Sequence, residues 1–255
     1  MTNTQILNIA KQQHAIDLNC QPEDFSKEEN IITISQANKN ARSYLIQPLF
    51  CYLVSYGKNI VASVDQRIFD LVKGYINTQH INDCFNILKA NSLTSEFAKH
   101  GHLPCKQLQY WLPDANALKP QPCNYRLQLL ENKNLAGLYG PEWSNALSET
   151  RPQLDMLGVG AYDGNRLVGL AGCSADCDTM WQIGVDVLPE YRNNGIAAAL
   201  TSRLAVEVLA LGKVPFYCCT WSNLASARNA IKSGFRPAWV ELTSLLAEKA
   251  TEWKA

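Results

Sequence analysis

The stretch that most limits how this chain folds runs Val185-Asp186-Val187-Leu188-Pro189-Glu190-Tyr191-Arg192-Asn193-Asn194-Gly195-Ile196-Ala197. An apolar strand is predicted from Thr179 to Val187. Pro189 has no N–H and stops further pairing. A polar turn follows, and an amphipathic helix is predicted from Gly195 to Leu211, ended by Gly212. Small residues at 195 and 197 let backbone approach an anion closely. The first helical turn offers unpaired N–H groups and the positive end of the dipole. The local chemistry is that of a diphosphate cradle, to which Arg192 adds charge. A strand–turn–helix with a glycine also occurs without any ligand, so Gly195 as a plain turn residue stands beside that reading.

Charge does not point to nucleic acid. Lys plus Arg is 23 and Asp plus Glu is 23 in 255 residues, a net charge of zero, without the basic excess such partners require. Hydrophobic residues at 47% and charged residues at 18% describe a folded protein rather than a disordered one. The N-terminus has neither a basic segment nor an apolar core of signal-peptide length. No apolar run approaches the roughly 18–20 residues that span a bilayer. The expectation is a cytoplasmic protein with no membrane partner. Nine cysteines, an odd number, several inside apolar runs (Cys51, Cys173, Cys218, Cys219), read as free buried thiols. Cys173 and Cys177 lack a second ligand pair at zinc spacing, so no metal is expected.

Three prolines between Leu112 and Pro122 mark the expected boundary between a domain at 1–120 and one at 121–255. Before it, strands are predicted at Leu49–Tyr56, Ile60–Val64 and Cys105–Leu112. Helices are predicted from about Gln66 to Asn77 behind an Asp65 N-cap, at Asp83–Leu88 and at Thr94–His100. This α/β lobe shows no acid/base pair, phosphate loop or nucleophile signature. After the boundary the order is strand (Tyr125–Leu130), helix (Asn132–Leu147, interrupted at Gly140-Pro141), and two strands (Met156–Ala161, Arg166–Ser174) joined by a turn at 162–165. The strand and helix of the cradle come next, then strand Pro215–Trp221, helix Leu224–Ser233 and a closing strand Phe235–Leu245.

Two motifs in this half resemble the GNAT superfamily of N-acetyltransferases. The first is Val187 to Leu200, which is similar to the family's strand followed by (Arg/Gln)-x-x-Gly-x-(Gly/Ala). The second is Asn223 followed eleven residues later by Gly234-Phe235. The resemblance covers roughly residues 124–245. It implies a mixed α/β fold with a central, mostly antiparallel sheet flanked by helices, with the N-terminal α/β lobe added. It implies acetyl-CoA as donor and a small-molecule or peptide amine as acceptor. Residue by residue, it implies that Val185, Asp186 and Val187 present backbone groups to the pantetheine and thioester. It gives Arg192, Asn193, Asn194, Gly195, Ile196 and Ala197 the pyrophosphate, and sets Asn223 and Ser226 beside the cofactor. It also implies that strands 179–187 and 215–221 part to admit the pantetheine, whose amides meet the unpaired strand groups.

The chain departs from the family in two places. The tyrosine that many members carry seven residues after the asparagine, as acid for the leaving thiolate, is Ala230 here. The glutamate base some members place on the central strand is missing from Trp181-Gln182-Ile183-Gly184. Asp186, Asn223 and Ser226 are the remaining catalytic candidates. General acid–base help is worth about 10²–10⁴-fold, so its loss need not abolish turnover. The readings are therefore an N-acetyltransferase acting by direct attack in a ternary complex, an acyl-CoA-binding sensor, or a tandem acyltransferase with one degenerate half. The N-terminal lobe is expected to shape the acceptor site or a homodimer.

Other residues carry two readings each. Asp176 and Asp178 fit a polar strand connection or carboxylates drawing in an amine. Glu142 and Trp143 fit a helix start with a buried Trp or an acceptor-recognition element. Tyr191 fits surface packing or stacking on the cofactor. Cys218 and Cys219 fit inert thiols better than a nucleophile, because all four histidines (14, 80, 100, 102) precede the boundary. His100-Gly101-His102 is too sparse for a metal site.

Overall fold

The structure is a computed structural model and describes residues 1–249, the side chains of Cys105 and Lys106 excepted. Residues 250–255 of the expected second domain lie outside the described residues. In chain order the elements are α1 (Asn3–Leu18), β1 (Ile31–Ile34), β2 (Cys51–Ser55), β3 (Val61–Val64), α2 (Phe69–Asn77), α3 (Ile87–Ala90), α4 (Thr94–Lys99) and β4 (His102–Pro113). They continue with β5 (Arg126–Glu131), α5 (Asn132–Leu135), β6 (Asp155–Asp163), β7 (Arg166–Ser174), β8 (Met180–Val187), α6 (Ile196–Ala210), β9 (Val214–Thr220), α7 (Leu224–Lys232) and β10 (Phe235–Leu246). The fold class is mixed α/β, as the motifs implied. No helix among the described residues is long and apolar enough to cross a membrane.

The chain divides into two compact units. Among the described residues, one contains 1–10, 111–219 and 223–237; the other contains 11–110, 220–222 and 238–249. In the first unit β5, β6, β7 and β8 pair antiparallel in sequence order, and β9 joins β8 in parallel. The β6–β7 hairpin closes with Asp163 opposite Arg166 and Gly164 at φ +57°. One sheet face packs under α6 and α7, burying Val159, Ala171, Ile183, Leu200, Leu204 and Phe235. Gly169 permits close approach there, since a Cβ would lie 2.9 Å from Ile196 Cγ2. A separate cluster joins Leu130, Leu135, Trp143, Ala146, Leu147 and Leu170. The helix expected over 132–147 stops at Leu135; only a 3-10 turn at Pro141–Trp143 follows. Gly137 and Gly140-Pro141 weaken the helix locally, while Trp143, Ala146 and Leu147 bury themselves without one.

In the second unit β1 pairs parallel with β3, β3 antiparallel with β2, and β2 antiparallel with β10. Asp65 caps the following turn by accepting from Arg67 N at 2.8 Å. A 3-10 turn, Gln66–Ile68, precedes α2. The apolar core gathers Phe50, Leu53, Ile60, Ile68, Ile76 and Phe97. The helix expected at 83–88 forms later, at Ile87–Ala90, where Asn86 caps it through Leu88 N. Helix α1 and strand β1 carried no sequence expectation.

Candidate functional site

The strand-to-helix turn is built almost wholly by backbone. Leu188 N donates to Val168 O at 3.0 Å, the last tie of β8 to its neighbour. Pro189–Tyr191 make a single 3-10 turn. Asn193 then adopts φ +65° and Gly195 φ +77°, both in the left-handed region. Gly195 is the N-cap of α6 and supplies no capping side chain. The first bond of the helix runs from Ala199 N to Gly195 O at 3.1 Å. The opening N–H groups of a helix lack intrahelical acceptors, and residues 192–195 around them are exposed. Nothing stands within 4 Å of a Cβ built on Gly195. Alternating left-handed residues aim successive N–H groups into a concavity suited to an anion. Arg192 anchors by donating from Nε to Val187 O at 3.0 Å, and Asn194 Nδ2 donates to Tyr191 O at 3.2 Å. Ile196 faces the core and Ala197 is half-buried.

The strand before the turn changes partner along its length. Against β7, β8 is paired from Gln182 to Val187. Against β9, the parallel register holds for Met180–Val214, Trp181–Pro215 and Gln182–Phe216 only. Past those three pairs, residues 183–187 of β8 and 217–219 of β9 are not paired to each other among the described residues. Unpaired strand groups need partners, and a chain bearing amides, such as pantetheine, fits that gap. The parted edges and the uncapped helix start are two observations of the same kind, both compatible with acetyl-CoA.

On β9, at the fork, Tyr217 places its hydroxyl 2.7 Å from Ser226 Oγ of α7. Burial raises the Tyr217 phenol above its ordinary range, against hydrogen bonds from Ser226 and Asn229 that pull it down. Asn229 Nδ2 in turn donates to Thr201 Oγ1 on α6 at 3.1 Å. Asn223 is the N-cap of α7, its side chain accepting from Ser226 N at 3.1 Å. Ala230 is fully buried in the core.

The other side of β8 carries a strap. Asp186 Oδ2 accepts from Asn145 N and from Ala146 N, each at 2.9 Å, and Oδ1 accepts from Asn145 Nδ2 at 2.6 Å. The strap lies so close that a Cβ on Gly184 would fall 1.8 Å from Asn145 O, and one on Gly172 2.1 Å from Ala146 O. Gln182 Nε2 donates to Cys218 Sγ at 3.2 Å. The isolated glycines inside apolar strands were the available signal for such an approach; the strap replaces the later part of the helix expected over 132–147, and Tyr217 and Gln182 carried no sequence expectation.

Asp176 is buried and pairs with Arg151, while Asp178 is exposed. Glu142 is exposed and Trp143 is buried beside Leu135 and Leu170. Tyr191 donates to Asp163 Oδ2 at 3.0 Å and packs edge-on against Tyr125. Cys219 is buried, which raises its thiol. The eight cysteines with described side chains are free. In the second unit, His14 bonds Tyr56 and Glu241, His102 stacks on Phe50 at 3.9 Å and His100 tilts against the same ring. His80 Nδ1 accepts from Asn82 N. No group of three or more metal-ligating side chains occurs among the described residues.

The family model of GNAT acetyltransferases matches residues 76–238. The chain is similar to a GNAT-family protein from Novosphingobium aromaticivorans, with 23% identity, 56% of this chain and 66% of that one covered, and a TM-score of 0.40. It is similar to a GNAT-family acetyltransferase from Colwellia psychrerythraea at 15% identity, with coverage of 56% and 57% and a TM-score of 0.44. It is also similar to an aminoglycoside N-acetyltransferase in complex with CoA, at 18% identity, with coverage of 48% and 93% and a TM-score of 0.36. The chain spans less than two thirds of the length of the first two. No curated protein matches it.

Proposed function

This chain belongs to the GNAT acetyltransferase family, and we propose that it transfers an acetyl group from acetyl-CoA to a primary amine by direct attack in a ternary complex. The observation that carries the reading is the fork between β8 and β9, where pairing stops after Gln182–Phe216 and an uncapped helix start follows on the same strand. In this reading the amides of residues 193–197 hold the diphosphate, with Arg192 beside them. The edge of β8 at Val185 and Val187 pairs with the pantetheine and its N–H groups polarise the thioester carbonyl, while Asp186 between them turns its backbone to β7. Asn223 and Ser226 border the same gap from α7. Bound acetyl-CoA supplies an activated acyl group, and the reaction yields an N-acetyl amide and the free thiol of CoA.

Positioning does most of the work. Holding an amine against a thioester replaces a bimolecular encounter with a near-unimolecular step. Asp186 is engaged by three donors of the strap, so it serves this site by what its carboxylate holds rather than as a base. Ser226 and Tyr217 share a hydrogen bond at the fork, which favours a neutral, proton-retaining pair there. The acceptor class, a small molecule or peptide amine, and a cytoplasmic location belong to the same proposal.

A second reading is an acyl-CoA sensor without turnover, favoured by Ala230, which is fully buried where the resemblance puts a tyrosine. Release of free CoA thiol against a panel of amines, measured beside calorimetric binding of acetyl-CoA, decides between them. Turnover with any amine supports the transferase. Tight binding with no thiol released on any amine supports the sensor. No binding at all sinks both.

A further inference from the structure

We infer that Asp186 is a positioning residue, a clamp that fixes the Trp143–Leu147 strap against β8 and thereby sets the strand that aligns the thioester. The inference rests on the reading of β8 as the strand that aligns the thioester. Three observations carry it. Both carboxylate oxygens of Asp186 are spent on the strap, two bonds to backbone N–H of Asn145 and Ala146 and one to the Asn145 amide. The strap's carbonyl oxygens fill the space of the missing Cβ atoms at Gly184 and Gly172, on the two central strands of that sheet. Trp143, Ala146 and Leu147 are buried with Leu135 and Leu170, which anchors the strap from behind.

The physical logic is that of an N-cap applied to an irregular segment. A carboxylate accepting two adjacent backbone N–H groups makes charge-assisted bonds of about twice the ordinary strength. Because Asp186 lies two residues from Gly184, one short length of β8 holds the strap and receives it. The strap position and the β8 backbone are therefore set together, and small displacements of one shift the other. A displacement of about 1 Å at a reacting centre costs about 10²-fold in rate.

Three variants test this. Asp186→Ala removes both acceptors and is expected to lower kcat/KM for the amine by about tenfold or more, a larger change than in the Kd for acetyl-CoA. Asp186→Asn keeps one oxygen for the Asn145 and Ala146 N–H pair, and is expected to recover most of that loss with an unaltered pH profile. Gly184→Ala inserts a methyl into the position of Asn145 O and is expected to reproduce the Asp186→Ala phenotype with Asp186 intact. Amide hydrogen exchange at Asn145 and Ala146 is expected to quicken by about tenfold in Asp186→Ala and Gly184→Ala. An Asp186→Asn enzyme as impaired in kcat as Asp186→Ala, with a flattened pH profile, overturns the clamp in favour of a base. Unchanged exchange in both Asp186→Ala and Gly184→Ala overturns it outright. If the wild-type protein acetylates no amine, the transferase reading fails, and the exchange measurement still decides the clamp. If Asp186→Ala does not fold, Gly184→Ala and Asp186→Asn carry the same comparison.

Discussion

The unit holding residues 111–219 leaves backbone groups open: the first N–H groups of α6 lack intrahelical acceptors, and β8 and β9 stop pairing with each other past Gln182 and Phe216. The unit holding residues 11–110 does the reverse. Asp17, Arg42 and Glu241 are buried, and Arg42 Nε donates to Asp17 Oδ2 at 2.6 Å while its Nη2 stands 3.7 Å from Glu241. His14 bonds Tyr56 at 2.7 Å and Glu241 at 3.2 Å, and Trp239 Nε1 donates to Glu241 at 2.8 Å. Charge brought inside and paired is a structural commitment, since breaking one partner strands the other. Backbone groups left unpaired at a surface are an offer to a ligand. The contrast separates groups that hold the fold from groups proposed to hold the cofactor, even though both are polar.

The contrast breaks most visibly at Asp17. Asp17→Ala leaves the buried Arg42 without its closest carboxylate, and unfolding in urea is expected to show a loss of about 3–5 kcal/mol. A loss under about 1 kcal/mol would mean the ionic cluster contributes little to holding this unit.

Acid provides the next largest effect. Burial opposes ionisation of Glu241, but the His14 hydrogen bond and the Arg42 charge override it and hold the carboxyl at about 2, against an ordinary 4.5. Its stabilisation is present above the unfolded value and is lost as pH falls from about 4.5 towards 2. Burial, then the Arg42 charge, lowers His14 below its ordinary 6.5, with Glu241 partly offsetting. Below pH 6.5 the unfolded chain takes up a proton that folded His14 refuses, so this contribution falls in the same direction. Thermal melting should therefore decline below pH 6.5 and steepen below 4.5. Glu241→Gln should flatten the lower of those windows.

At the cradle the effect moves from stability to binding. Gly195→Glu is expected to raise the Kd for acetyl-CoA by well over tenfold, because a carboxylate enters the anion concavity. Gly195→Ala serves as the control. It imposes left-handed strain of about 1–2 kcal/mol at φ +77°, yet meets no neighbour, so it should cost stability and little affinity beyond that. Equal affinities for the two variants by calorimetry would remove the cradle.

The smallest expected effect is at Asn223. Its side chain caps α7 through Ser226 N, and Asn223→Ala should cost about 1 kcal/mol of stability with the KM for acetyl-CoA changed only a few-fold. A much larger fall in turnover would restore the direct cofactor role that the resemblance implied.

Parts of the structure were legible because their signals are local. Pro189, Gly195 and Gly212 punctuate the chain where β8 ends and α6 starts and stops, and the hairpin at 163–166 follows from its turn residues. Helix α1 was illegible for a physical reason. Gln13, His14 and Asp17 face inward, buried in the ionic cluster, so the apolar period that marks a helix is interrupted by polar residues. The strap was misread because helical spacing continues past Leu135, while Trp143, Ala146 and Leu147 bury themselves by packing without a helix.

Order, spacing and turn chemistry carried the α/β class and the strand–turn–helix at 187–196, and two motifs carried the resemblance to the family. Those features depend on neighbours a few residues apart. Which strand edges stay unpaired, which carboxylates are spent on backbone and which charges are interior depend on residues brought together from distant positions, Asp186 with Asn145 and Glu241 with His14. Hydrogen-bond satisfaction and burial are properties of the packed molecule, and only the tertiary structure sets them.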